Sequence, residues 1–201
     1  MNITIIDYGM GNIKSLYNAI NFLNYKVKVS RDQKEILKSD FVFLPGVGAF
    51  KEAILNINNY NLYDTLNEYI FDRKKNIFGI CLGMQLLCKK SKEHGNTYGL
   101  KAVNLDLEKF NKNQNFHIGF NQVIYDKDSV LFREIKQRED FYFVHSYRAK
   151  PIKKPKIKVS YSNFGEKFIS SFEHENIFGT QFHPEKSQYS GLKLLENFLK
   201  I

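Results

Sequence analysis

The sequence predicts an α/β fold: a central, mostly parallel sheet with helices on both faces and antiparallel strands added in the second half. Three observations predict it. Short, continuously apolar runs alternate with helix-periodic segments through the first half, the pattern of strands buried on both faces. The second half is a succession of strand-like runs with little helix between them. No internal repeat or low-complexity linker divides the 201 residues, so residues 1–201 are expected to form one domain.

The elements follow in order. Ile3-Thr4-Ile5-Ile6 is a short apolar run that stops at Asp7-Tyr8-Gly9, and it predicts a buried strand. Gly11-Asn12 then opens a helix whose apolar residues Ile13, Leu16, Tyr17, Ile20 and Leu23 recur three or four apart. Residues 27–29 and 41–44 predict the next two strands, the second ended by Pro45-Gly46. A helical pattern covers 54–71 but is interrupted near Asn58-Asn59. Residues 77–80 form a fourth strand, followed at once by a helix from Leu82 to Lys89. Beyond it, strands are expected over 100–110, 121–125, 141–144, 156–161, 168–172 and 177–182. An amphipathic helix over 190–199 has Leu192, Leu195 and Leu199 on one side.

Composition excludes several classes. The net charge is +9, from 30 Lys and Arg against 21 Asp and Glu. Only five of those cations are arginine, the usual reader of bases and phosphates. Residues 150–158 alone hold five lysines and no acid, about half of the excess, broken by Pro151 and Pro155. With 20 asparagines as well, the charge reads as compositional bias plus one solvated edge, not a nucleic-acid surface. A 43% hydrophobic fraction with 15% aromatics excludes a disordered polyelectrolyte. No run reaches the roughly 20 apolar residues of a membrane span, and the start MNITIIDYGMGN does not read as a signal peptide. Cys81 and Cys88 form neither a disulfide framework nor a metal pattern. His94, His117 and His174 have no ligand-like spacing, and Gly9-Met10-Gly11-Asn12 lacks the third glycine of a dinucleotide fingerprint. A cytoplasmic protein without metal or cofactor is expected.

Three segments carry chemistry. Gly79-Ile80-Cys81-Leu82-Gly83 lies between a predicted strand and a predicted helix. That is a nucleophile elbow with cysteine at its tip, where free N–H groups at the helix start favour the thiolate. His183-Pro184-Glu185 supplies an imidazole base and a carboxylate to orient it. Residues i and i+2 of an extended chain share a side, and Pro184 is expected to keep the chain extended there. Pro45-Gly46-Val47-Gly48-Ala49-Phe50 is a glycine turn able to aim N–H groups of Val47 and Gly48 at an oxyanion, with Leu82 N–H as the second donor. Cys88 reads as core.

These segments, in this order, resemble the class I, triad-type glutamine amidotransferases, over residues 2–200. Asp7-Tyr8-Gly9-Met10-Gly11-Asn12, Gly79 to Gln85, Tyr142-Phe143-Val144-His145-Ser146-Tyr147 and Gln181 to Ser187 narrow the resemblance to the glutaminase subunits of imidazole glycerol phosphate synthases. The resemblance implies hydrolysis of glutamine to glutamate and ammonia, and delivery of ammonia to a (β/α)8-barrel synthase subunit in histidine biosynthesis. It implies Cys81 as nucleophile, His183 as base and acid, and Glu185 as orienter. Gly48, Gln85, Glu93, His145, Ser146 and Tyr147 fall where the family holds glutamine. Asn12, Tyr142 and Lys186 fall where it meets the barrel. The family's glutaminase is weak until the barrel binds its ligand, when the PGVG backbone is thought to flip. One stretch departs: the family's Pro-His-Met-Gly-Trp-Asn reads Phe116-His117-Ile118-Gly119-Phe120-Asn121, after a polar loop from Lys109 to Asn115. Paralogues of this subunit supply ammonia to a sugar amidotransferase in surface-polysaccharide biosynthesis, so that partner stays open as the alternative.

Overall fold

The computed structural model describes residues 1–111, 116–150 and 156–201. Most of the polar loop before Phe116 and the centre of the lysine-rich stretch 150–158 therefore lie outside the described residues.

Strand β1 (Ile3–Ile6) leads into helix α1 (Ile13–Phe22), β2 (Val27–Ser30), α2 (Gln33–Lys38) and β3 (Phe41–Leu44). Helices α3 (Phe50–Asn59) and α4 (Leu62–Asn67) follow, the second running into a π-helical turn at Glu68–Asp72. Then come β4 (Asn76–Ile80), α5 (Leu82–Leu87), β5 (Cys88–Ser91), β6 (Thr97–Tyr98), β7 (Val103–Lys109), β8 (His117–Gln122) and β9 (Asp140–His145). Strands β10 (Tyr147–Ala149), β11 (Lys158–Phe164), β12 (Glu166–His174) and β13 (Ile177–Thr180) precede a 3-10 turn at Pro184–Lys186 and the last helix, α6 (Gln188–Leu199).

Among the described residues one sheet runs β2-β1-β3-β4-β13-β12-β10-β7-β5-β6, with β11 paired on β12. Strands β2, β1, β3, β4 and β13 are parallel; β12, β10 and β11 add antiparallel pairs. Strands β8 and β9 form a separate antiparallel pair. Successive strand residues face opposite sides: Val42 and Leu44 pack with α2, α3, α4 and α5, whereas Phe41 and Phe43 pack with α1 and α6. The expected two-faced burial is thus realised. Phe198 of α6 is the hub of its face, with the rings of Phe41, Phe43, Phe78 and Phe178 centred 4.9–5.4 Å from it. No helix among the described residues is long and apolar enough to cross a membrane.

Several boundaries differ from expectation. The helix expected to reach Lys89 stops at Leu87, and Cys88 starts a strand. Leu100 N–H donates to Leu86 O at 2.8 Å, satisfying a carbonyl that further helix would have used, while β5 pairs with β7. Helix α2 was not expected; its signal is Asp32, whose carboxylate accepts from Glu35 N–H at 2.9 Å. The break at Asn58-Asn59 is real, with Asn61 in the left-handed region at φ +55°. The helix before it starts four residues earlier than expected, at Phe50. The strand expected over 121–125 lies instead at His117–Gln122, where pairing with β9 sets the register.

Candidate active site

The parallel neighbours β1, β3, β4 and β13 bring their C-terminal ends to one edge. The chain leaves them there through Asp7–Asn12, Pro45–Ala49, Cys81 and His183. Cys81 turns β4 into α5 at φ +54° and ψ −108°, a conformation strained for any residue with a side chain. Close approach explains the flanking glycines. A Cβ on Gly79 would stand 2.6 Å from Gly83 O, and one on Gly83 would overlap the Leu44 carbonyl. Cys81 is 6% exposed. Its thiol donates to Val144 O at 3.8 Å, and Sγ accepts from Gln181 Nε2 at 3.8 Å.

The chain at His183-Pro184-Glu185 is not extended as expected. Pro184–Lys186 forms a 3-10 turn, because the fixed φ of proline suits the first position of a helical turn. The turn still brings the carboxylate to the imidazole: His183 Nδ1 lies 2.8 Å from Glu185 Oε1, with side chains 2% and 3% exposed. Glu185 therefore accepts a hydrogen bond from Nδ1–H and leaves Nε2 as the base nitrogen. Burial pushes His183 down, but the Cys81 charge beside it, and then Glu185, outweigh burial and raise it. His183 N–H donates to Tyr142 O at 2.8 Å. Ser187 Oγ donates to His183 O at 2.6 Å and accepts from Tyr142 N–H at 3.0 Å.

A cavity of about 490 Å³ opens on Cys81. Val47, Gly48 and Leu82 line it, as do Gln85, Glu93, His145, Ser146 and Tyr147, with Phe116 and Lys186. A second cavity of about 500 Å³, between Phe120, Glu139 and Tyr189, contains neither Cys81 nor His183. Of the expected oxyanion donors, Leu82 N–H is directed to Gly46 O at 3.4 Å, and Val47 and Gly48 are exposed. The loop is anchored at its start by Tyr8, whose hydroxyl donates to Pro45 O at 2.8 Å. Burial and the Cys81 charge push the Tyr8 phenol up, so it remains a donor. At the loop's end Glu93 Oε2 accepts from Phe50 N–H at 2.7 Å, capping α3 where Ala49 cannot.

Of the expected interface residues, Lys186 Nζ stands 5.6 Å from the Tyr142 ring centroid. Phe120 packs edge-on against that ring at 5.5 Å. Asn12 does not line the cavity; its side chain caps α1, accepting from Ser15 N–H at 3.4 Å, and α1 contacts the Pro184–Lys186 turn.

Two residues that sequence reasoning left without a role lie in this network. Gln181, wholly buried, touches Cys81. His117 Nδ1 lies 3.1 Å from His145 Nε2, whose Nδ1 lies 2.8 Å from Tyr147 O. A carbonyl only accepts, so His145 is protonated at Nδ1 and His117 donates to its Nε2. Both rings stay neutral: burial pushes His117 down to about 4 and His145 down to about 3. The signal for each was its motif, Gln181 two residues before His183 and His117 inside the departing stretch.

Sulfur held beside an imidazole–carboxylate pair is built to attack an acyl carbon, the chemistry of cysteine-dependent amidases and acyl transferases. Over residues 4–201 the chain matches the family described as glutamine amidotransferase class-I, and it belongs to that family. It is 41% identical to the imidazole glycerol phosphate synthase subunit HisH of Pelagibacter ubique, covering 100% of both chains. It is 41% identical to the subunit of that name from Aquifex aeolicus, covering 98% of this chain and 96% of that one. Against subunit HisH 1 of Campylobacter jejuni strain RM1221 the identity is 39%, covering 99% and 100%. Among solved structures, a putative GMP synthase subunit from Thermoplasma acidophilum superposes with TM-score 0.74 at 20% identity, covering 100% of this chain and 92% of that one. PurLQS from Thermotoga maritima gives 0.71 at 17%, covering 99% and 97%. These two matches establish a shared fold.

Proposed function

We propose that the chain is the glutaminase subunit of an imidazole glycerol phosphate synthase, a single cytoplasmic domain that hydrolyses glutamine and passes ammonia to a (β/α)8-barrel partner. The observation that carries this reading is full-length identity of 39–41% to subunits of that name. The cavity with Cys81 at its wall supports the chemistry.

His183 Nε2 takes the thiol proton and Cys81 Sγ attacks the side-chain carbonyl of glutamine. The tetrahedral oxyanion is held by N–H groups of the Val47-Gly48 loop and of Leu82, one such donor being worth roughly 3–4 kcal/mol of barrier. Leu82 N–H becomes available once the Gly46 carbonyl turns away from it. The C–N bond breaks as His183 returns the proton to nitrogen, so ammonia leaves and a thioester remains. His183 then draws a proton from water, whose oxygen attacks the thioester; the C–S bond breaks, glutamate leaves and His183 returns the proton to Cys81 Sγ. Glu185 holds the imidazole in the Nδ1–H form throughout. Gly48, Gln85, Glu93, His145, Ser146 and Tyr147 would contact glutamine. Ammonia that met bulk water would be protonated and lose its nucleophilicity, so a sealed partner interface is required. Tyr142, Lys186 and Asn12 would form part of it, beside the exposed Ile118 and Phe120.

A second partner is kept open by one observation. Two of the departures from the family stretch, Phe116 and Phe120, are about half exposed, at 50% and 52%, and would face whatever docks there. A glutaminase serving a sugar amidotransferase would have the same Cys81 chemistry and a different partner. The test mixes the chain with glutamine and each candidate partner and follows glutamate. Stimulation by the barrel synthase is the expected result; stimulation by the sugar-modifying enzyme alone would reassign the pathway. No glutamate with either would remove the glutaminase reading.

A further inference from the structure

We infer that Gln181 is a further catalytic residue, whose carboxamide N–H donates to the sulfur of Cys81 and holds the thiolate each time it forms. The inference deepens the glutaminase reading and rests on Cys81 being its nucleophile.

The orientation of the amide carries the argument. Gln85 Nε2 lies 3.0 Å from Tyr147 O and 3.0 Å from Gln181 Oε1. A backbone carbonyl only accepts, so the Gln85 nitrogen is identified, and the Gln181 atom facing it must be oxygen. The Gln181 nitrogen is left to face Sγ, at 3.8 Å. The residue cannot drift from this place: it is 0% exposed, and its backbone N–H donates to Ser170 O at 2.8 Å.

The other hydrogen-bond partner of the sulfur pulls the opposite way. Val144 O accepts from the neutral thiol, and when the proton leaves for His183 Nε2 that carbonyl faces a negative sulfur. Besides His183, which carries the transferred proton beside the sulfur, Gln181 Nε2 is, among the described residues, a side-chain donor in hydrogen-bond reach of Sγ. A donor to an ionised acceptor strengthens as charge develops. The relay also reaches the cavity, since Gln85 lines it. A ligand that draws on Gln85 therefore tightens or loosens the amide that faces the nucleophile.

The test uses the full chain and two substitutions, Gln181→Met and Gln181→Glu. Methionine keeps length and burial but offers no N–H. Glutamate keeps the acceptor for Gln85 and turns a carboxylate toward the sulfur. Iodoacetamide alkylation of Cys81 is followed across pH, with glutamate release measured in the assembled complex. Alkylation at neutral pH is expected to fall about ten-fold or more in Gln181→Met and further in Gln181→Glu, with both profiles displaced to higher pH. The loss should appear in kcat, with KM within a few-fold. Folded variants that alkylate with the wild-type rate and profile would overturn the inference. If Gln181→Met does not fold, the near-isosteric Gln181→Glu decides. Glutamate release that persists in Cys81→Ser would overturn the nucleophile assignment itself, an outcome distinct from indifference to Gln181.

Discussion

Cys81 occupies a backbone conformation that glycine adopts more easily, held by the pairing of β4 and by the close approach of Gly83 to Gly79 and to Leu44. Strain of this kind costs on the order of 1–3 kcal/mol. Cys81→Gly is therefore expected to match or exceed the wild type in thermal unfolding midpoint while releasing no glutamate. A clear drop in midpoint would mean that the turn is unstrained. Cys81→Ser should lose more than about 1000-fold in glutamate release. Glu185→Gln keeps an acceptor at Nδ1 but removes the charge, and is expected to lose about 100- to 10,000-fold in kcat. Unchanged turnover would free Glu185 from its orienting role. Cys81, His183 and Glu185 were legible in the sequence because each sits in a short motif with its own chemistry. Gln181 was not, although it lies two residues from His183. Its meaning depends on which way its amide faces, and that is set by Gln85 and Tyr147, far away along the chain.

At the scale of elements, what the sequence left out was set by pairing between distant segments. The apolar run from Leu82 to Cys88 has no period that separates helix from strand. Only β7 and the Leu100 N–H, supplied from beyond it, decide where one ends and the other begins. Strands β1, β3 and β4 were legible because continuous apolar runs with abrupt Gly or Pro stops mean the same thing in any context. Helix α3 illustrates the limit. Its start is capped by Glu93, 43 residues away in sequence, so local reading placed it too late. Glu93→Ala is expected to destabilise the protein by about 0.5–2 kcal/mol and to raise KM for glutamine, since Glu93 also lines the cavity. Urea unfolding with steady-state kinetics separates the two effects. A loss of stability without a change in KM would confine Glu93 to the cap.

For the whole molecule, the protonation states of buried histidines shape the pH dependence of stability. His117 and His145 titrate at about 4 and about 3 when folded, against 6.5 for a free imidazole. Between pH 6.5 and 4 the unfolded chain binds protons that the folded chain refuses, so stability falls with pH over that window. Each tenfold change in proton affinity between the two states is worth about 1.4 kcal/mol, so His117 contributes on the order of 3 kcal/mol. His183 is raised and works in the other sense: its contribution is full below 6.5 and fades as pH rises through its folded value. Urea unfolding from pH 4.5 to 7 should show stability rising with pH, with a shallower slope in His117→Phe. A slope unchanged by that substitution would mean that His117 is charged in the fold. The phenylalanine hub is a second global feature. Phe198→Ala removes the ring that four sheet phenylalanines share and is expected to cost about 3–5 kcal/mol, read as a lower denaturation midpoint.

Strand β9 offers carbonyls two residues apart to the two halves of the site, Tyr142 O to the His183 amide and Val144 O to the Cys81 thiol. The two recipients hang from β4 and β13, which are separated by almost 100 residues of chain. Their spacing is therefore gauged locally, by the direct pairing of β4 with β13 and by one residue of β9, whatever the length of the segments that deliver them. Loops elsewhere can lengthen or shorten in related chains without moving sulfur relative to imidazole. A single residue inserted between Tyr142 and Val144 would put both out of register at once. Tolerance to insertion across this molecule should be lowest on a strand that carries neither reactive side chain.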